Sequence, residues 1–248
     1  MSTAVIGKWI TLDIQRVFRN GRFFLFSLAL PVLFFVVFGL RGDLTTYSYP
    51  GGNATAYVMV SMALYASAMA ATSAAAQISA ERWQGWVRQM QALPPSLPSY
   101  VLVRVVVASV QAAMSVLPVF VLGALLGARV AGIGWVLCPL ICWLSSIMFS
   151  AFGVFVGFTL RSQNAMQIVG PGLTLVAALG SLFVPIDSGP IAVVGQLTPM
   201  WGIGVLARQP IVHSDQVLLA LVNVAFWAVA VLAASLWAVR RPAGRALR

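Results

Sequence analysis

His213, Ser214 and Asp215 are the residue types of a nucleophile, its base and an orienting carboxylate, and they stand side by side. Adjacent residues do not converge on one substrate atom as a catalytic triad must. The trio therefore reads as a corner leading into a helix, with Ser214 or Asp215 as its N-cap. Cys138 and Cys142, the only cysteines, are spaced to share a helix face, as a metal or redox pair would be. Without a nearby His or carboxylate they make a poor metal site, and inside an apolar run they read as small packing residues. His213 is the only histidine and Lys8 the only lysine, and nothing matches G-x-x-x-x-G-K-[ST]. The chain is thus expected to carry no catalytic residue, no metal and no cofactor of its own, and if ATP drives it, another polypeptide supplies the site.

The elements around these residues are apolar. Of 248 residues, 60% are hydrophobic and 8% charged, with a mean hydropathy of +0.95. A soluble domain carries about 25% charged residues, so this is expected to be an integral membrane protein in which the lipid bilayer is the main solvent. Its net charge of +10 then records orientation against the bilayer and calls for no nucleic acid. Six continuous runs approach the about 20 residues a spanning helix needs: Phe23 to Leu40, Ala54 to Ala80, Val101 to Ala128, Ile133 to Leu160, Gln167 to Ile186 and Gln216 to Val239. The first exceeds a signal-peptide core and lacks a cleavage site, so it is retained. With the N-terminus inside, the inner connections hold twelve Lys and Arg and the outer ones only Arg41, Arg129 and Arg208. The expected fold is all-α, a single transmembrane domain over 1–248, with six spans and both termini in the cytoplasm.

Three segments do not span. Residues 1–22 place Ile6, Trp9, Ile10, Ile14, Val17 and Phe18 broadly on one helical face, which Asp13 interrupts; an amphipathic helix on the inner leaflet is expected. Residues 187–215 contain two apolar pieces too short to span, IAVVGQL and MWGIGVL, around Thr198-Pro199. With Ser188 and Gly189 before them, and Pro199 and Trp201 opening the second, they read as an outer re-entrant hairpin. Residues 81–99 form a polar cytoplasmic connection. Within it Trp83, Trp86, Val87, Met90 and Leu93 share one face of a short helix that stops at Pro94-Pro95. That helix suits either the headgroup layer or a protein contact. Inside the spans, Pro118 and Pro171 are candidate kinks. Gly123-x-x-x-Gly127 and Gly153-x-x-x-Gly157 permit close helix approach, within one chain or at a dimer seam. No span has an ionisable residue in its central part, which argues against a proton- or ion-coupled transporter.

The connection also resembles a known pattern. Ala80-Glu81-Arg82, then Gly85-Trp86-Val87-Arg88-Gln89, Leu93-Pro94 and Tyr100 are similar to the loop after the second span in type-2 ABC export permeases. FVPIDSGPIAVVGQLTPMWGIGVL resembles the end of that family's fifth span. The resemblance implies a coupling helix that inserts into a separate ATPase subunit, with Glu81, Arg82, Gly85, Trp86, Arg88 and Pro94 as coupling residues and Glu81 and Arg82 on the ATPase face. It further implies ATP and Mg on that partner, a second permease copy or a sister permease, and residence in a bacterial cell (inner) membrane.

The expected function is the membrane subunit of an ATP-driven exporter. Without charge at membrane depth, it would select an amphiphilic or hydrophobic substrate such as a drug, antibiotic or lipid-linked compound by shape and apolar contact. A non-transporting scaffold or sensor anchor would equally lack buried charge but gives no reason for the coupling pattern. An intramembrane enzyme would need a constellation that is not found.

Overall fold

A computed structural model describes residues 3–18, 31–37, 48–83, 97–160, 165–186 and 188–240. Of the first expected span it describes only residues 31–37, which are helical. The coupling candidates Gly85, Trp86, Arg88 and Pro94 lie outside the described residues.

Helix α1 is Thr3–Phe18. A two-stranded hairpin follows, β1 (Ser48–Tyr49) against β2 (Gly52–Asn53), and leads directly into α2, Ala54–Ala76. After Gln77 the path continues as α3, Ile78–Trp83. Helices α4 (Leu97–Leu125) and α5 (Gly134–Thr159) come next. They are followed by α6 (Ala165–Leu179), α7 (Pro190–Gln196), α8 (Pro199–Val212) and α9 (Val217–Arg240). Among the described residues, four stretches are long and apolar enough to cross a membrane: Ala54–Arg82, Tyr100–Leu125, Gly134–Thr159 and Val217–Arg240. A fifth exists if α7 and α8, bent by 82°, count as one.

The axis of the bundle is α2, of whose residues Ala54 to Ala76 all but four are buried. A helix apolar on every side is stable only when neighbours surround it, and its Ala and Ser side chains let α4 and α5 come close. The second glycine pair works here. A Cβ on Gly153 would lie 2.5 Å from the Thr72 carbonyl oxygen, and one on Gly157 would lie 3.0 Å from Ile78 Cβ. In this chain that motif packs α5 on α2 and α3. In the first pair, Gly123 faces the Met59 sulfur, whereas Gly127 sits in a turn at φ +90° where an added Cβ would meet nothing within 4 Å. Ser67 Oγ donates to the Cys142 carbonyl (2.7 Å), Thr72 Oγ1 to Phe149 (3.1 Å) and Cys142 Sγ to Val60 (3.7 Å), so both cysteines are core residues of this seam. By contrast α9 buries only Ala220, Ser235 and Ala238 and exposes apolar side chains along its length.

The fifth expected span, Gln167 to Ile186, is corrected. Helix α6 stops at Leu179, and 15 residues reach about 22 Å, short of the about 30 Å hydrocarbon core. The stop is a Schellman motif: Leu182 N–H donates to the Ala177 carbonyl and Ser181 N–H to Ala178, with Ser181 at φ +58°. The left-handed position is held by a serine, one residue after the glycine that could have advertised it. Pro118 and Pro171 lie within α4 and α6, whose helical assignments run through them unbroken.

Gly153→Leu places a side chain against backbone and is expected to destabilise the bundle by about 1–3 kcal/mol. Gly172→Ala, at a site with nothing within 4 Å, is expected to cost nothing. Thermal unfolding in detergent checks the pair; equal midpoints would contradict the α2–α5 seam.

Candidate functional site

At the end of the bundle where α2 passes into α3, charge is concentrated. Glu81 and Arg82 lie on α3, Tyr100 and Arg104 on the first turns of α4, and Asp13 on α1. Arg104 is buried and pairs with both carboxylates: Nη2 with Glu81 Oε1, and Nη1 with Asp13 Oδ2 at 3.7 Å. The Tyr100 hydroxyl donates to the other Glu81 oxygen, and Arg104 stacks 5.5 Å from the Tyr100 ring centroid. A single buried guanidinium thus ties α1, α3 and α4 together. Asp13 breaks the apolar face of α1 because that face meets Arg104.

Arg82 turns the other way. Its Nη1 donates to the Gly157 carbonyl (3.3 Å) and to that of Phe158, and its guanidinium lies 5.1 Å from the Phe158 ring centroid. Ser79 Oγ adds a bond to the Leu160 carbonyl (3.0 Å). The last carbonyls of a helix have no intrahelical donor, so α3 supplies the C-terminal cap of α5. Both residues expected to reach out to a separate subunit are therefore engaged by their own chain. That Arg104 and Tyr100 hold Glu81, with Asp13 as the second partner of Arg104, was missed in the sequence; Asp13 was the available signal.

The opposite end carries the re-entrant candidates. Gly189 takes φ +88° as the N-cap of α7, directly after Ser188, with Pro190 in the first turn. Pro199 opens α8, where the Thr198 hydroxyl accepts from the Trp201 N–H, and Trp201 is buried. The bend between α7 and α8 is held by α9: Asn223 Nδ2 donates to the Gln196 carbonyl (2.8 Å) and Trp227 Nε1 to that of Leu197 (2.8 Å). Trp227 lies about 15 Å along the axis from the start of α9, so the bend sits well inside the bundle relative to the α8–α9 corner. That corner is HSD: His213 caps α8 at φ +52°, and Ser214 Oγ accepts from the Gln216 N–H at 3.2 Å. The trio is a connection: Ser214 closes a turn ahead of α9, and because α9 begins at Val217 neither Ser214 nor Asp215 stands directly before it.

Asn53 closes the same end. Its Oδ1 accepts from Ala56 N–H (3.0 Å) and Arg129 N–H (2.9 Å), while Nδ2 donates to the Gly127 carbonyl (2.9 Å). Gly51 N–H donates to the Ile211 carbonyl (2.9 Å), and a Cβ on Gly51 would lie 2.0 Å from the Pro210 oxygen. The hairpin therefore joins the starts of α2 and α5 to the end of α8. Arg208, read from the sequence as an outer-loop cation, is 5% exposed within α8. Its Nη1 donates to Ser61 Oγ (2.9 Å) and the Ser181 carbonyl (3.1 Å), and its guanidinium stacks 4.4 Å from the Tyr57 ring centroid.

Residues 10–201 match the family model described as ABC-2 type transporter. The protein "Putative transport permease YvfS" of Bacillus subtilis (strain 168) is 24% identical over 206 residues, covering 81% of this chain and 82% of that protein. The matched region contains the Glu81–Arg104 cluster and the α7–α8 bend.

Arg104→Ala is expected to cost about 3–5 kcal/mol by leaving Glu81 and Asp13 without their cation, Glu81→Ala less because Asp13 still faces Arg104, and the double substitution distinctly less than their sum. Chemical denaturation of the purified variants checks this. Additive losses would mean that the two side chains do not interact.

Proposed function

This chain belongs to the ABC-2 type transporter family and is the multi-pass membrane subunit of an ATP-driven transporter, and we propose that it is an export permease of a bacterial inner membrane. In this reading it has six spans with both termini inside, the short α6 serving as the fifth through local thinning of the bilayer, works as two permease copies or with a sister permease, and moves an amphiphilic or hydrophobic substrate outward. ATP and Mg belong to a separate ATPase subunit. The sharp bend of 82° between α7 and α8, held by Asn223 and Trp227, supports the re-entrant assignment. Backbone carbonyls freed inside an apolar layer need internal donors, and these two side chains provide them.

The observation that carries the coupling assignment is the root of α3. Residues 84–96 follow α3 directly, and α3 is fastened to α1 and α4 through Glu81 and to α5 through Arg82. A displacement of that segment by an ATPase would be passed to three helices at once. Glu81 and Arg82 then act as positioning residues, and the ATPase contact falls on Gly85, Trp86, Arg88 and Pro94.

Co-purification with the cognate ATPase tests the division of roles. Gly85→Trp is expected to abolish association. Glu81→Gln is expected to keep association and lose at least about tenfold of the permease-stimulated ATP hydrolysis, as a broken charge-assisted contact would. Full association and stimulation in Gly85→Trp would sink the assignment.

A further inference from the structure

A cavity of about 400 Å³ opens at the hairpin end of the bundle, between β1, the start of α2, the turn after α6, and helices α7 and α8. Its lining includes Tyr49, Tyr57, Ser181, Trp201, Arg208 and Gln216. This volume is within the range of small-molecule sites, and its wall mixes aromatic faces with a few polar groups.

The buried Arg208 gives the cavity its character. Among the described residues no carboxylate pairs with it; the ion pairs there are those of Arg104 with Asp13 and Glu81. A buried charge without an ion partner is costly unless other groups replace water around it. Ser61, Ser181 and the Tyr57 ring do so on one side, but both of these hydrogen bonds use Nη1. Nε and Nη2 make no hydrogen bond to a described residue, although a guanidinium carries five donors. The cation is also fixed in place. Tyr49 stacks on Tyr57 at 5.6 Å, Tyr57 on the guanidinium, and a Cβ on Gly204 would approach Nη2 to 3.0 Å. A planar cation with free donors, held at the wall of a cavity, suits the two oxygens of a carboxylate or phosphate. Trp201, Val205 and Val212 add apolar lining for the rest of a ligand.

We propose that this cavity binds an anionic amphiphile, with its carboxylate or phosphate on Arg208 and its apolar body along Trp201 and the α8 valines. This departs from the expectation that selection rests on shape and apolar contact alone. That the ligand is cargo rests on the export reading; the binding itself does not, so it is measured without the ATPase.

The full chain in phosphatidylcholine nanodiscs is titrated with dodecyl phosphate and with neutral dodecanol by calorimetry, with empty nanodiscs subtracted. Saturable binding of dodecyl phosphate alone is expected. Arg208→Gln should weaken it at least about tenfold, the scale of one charge-assisted contact, while Arg129→Gln, an exposed arginine at the same end, should not. Gly204→Ala keeps the charge but crowds the guanidinium, and should also weaken binding if Arg208→Gln fails to fold. Adding phosphatidylglycerol to the nanodiscs distinguishes the source. Competition assigns the site to a lipid headgroup, and undiminished affinity to a free amphiphile; both retain the anion site. Equal affinity for dodecanol, or no change in either Arg208→Gln or Gly204→Ala, overturns the proposal.

Discussion

Hydrocarbon offers no hydrogen bonds, so every polar group this chain carries into the bilayer needs a partner from the chain itself. That constraint organises the bundle more than any single apolar contact. Where α5 ends, its free carbonyls take donors from Ser79 and Arg82. Where α7 turns into α8, the carbonyls of Gln196 and Leu197 take donors from Asn223 and Trp227. Where α2 begins, Asn53 serves three backbone groups on two connections. The first two are also joints between elements distant in sequence, because the donor comes from a different helix, and Asn53 joins the start of α2 to the α4–α5 connection.

The same arrangement gives the two ends of the molecule different work. At the Glu81 end, a buried arginine with two carboxylates ties α1, α3 and α4 together, which under the proposed coupling role is a suitable base for the segment that follows α3. At the hairpin end, the buried arginine has polar and aromatic neighbours but no described carboxylate, which leaves its charge available to a ligand. Between them runs α2, whose small residues permit the close α2–α5 contact at Gly153 and make the connection between the ends stiff.

Much of this was legible in the sequence. Apolar runs marked α2, α4, α5 and α9 to within a few residues, since about 20 uninterrupted apolar residues have few other stable uses. Thr198-Pro199 and Ser188-Gly189 marked the bend and the start of α7, because proline and a left-handed glycine have narrow backbone preferences. The early stop of α6 was not legible: Ser181 at φ +58° is a conformation serine rarely adopts, imposed by packing on α8. Nor was the partnership of Glu81. Composition shows that a carboxylate and an arginine exist near a helix end, but not that Arg104 and Tyr100 of α4, Asp13 of α1 and Glu81 of α3 converge on one point. Asn223 and Trp227, one turn apart in an apolar helix, were a readable polar stripe, and Arg208 was misplaced because its neighbours in sequence resemble a loop.

The claim on which the rest turns is that α7 and α8 double back inside the apolar layer, held by α9. In a chain with Cys138 and Cys142 replaced by alanine, a spin label at Leu197 or at His213, reconstituted in lipid, reports its depth through relaxation by oxygen and by a water-soluble nickel chelate. The account predicts that position 197 responds mainly to oxygen and position 213 mainly to nickel, a difference of about 15 Å in depth. Equal nickel accessibility at the two positions would place the hairpin on the membrane surface and contradict the account.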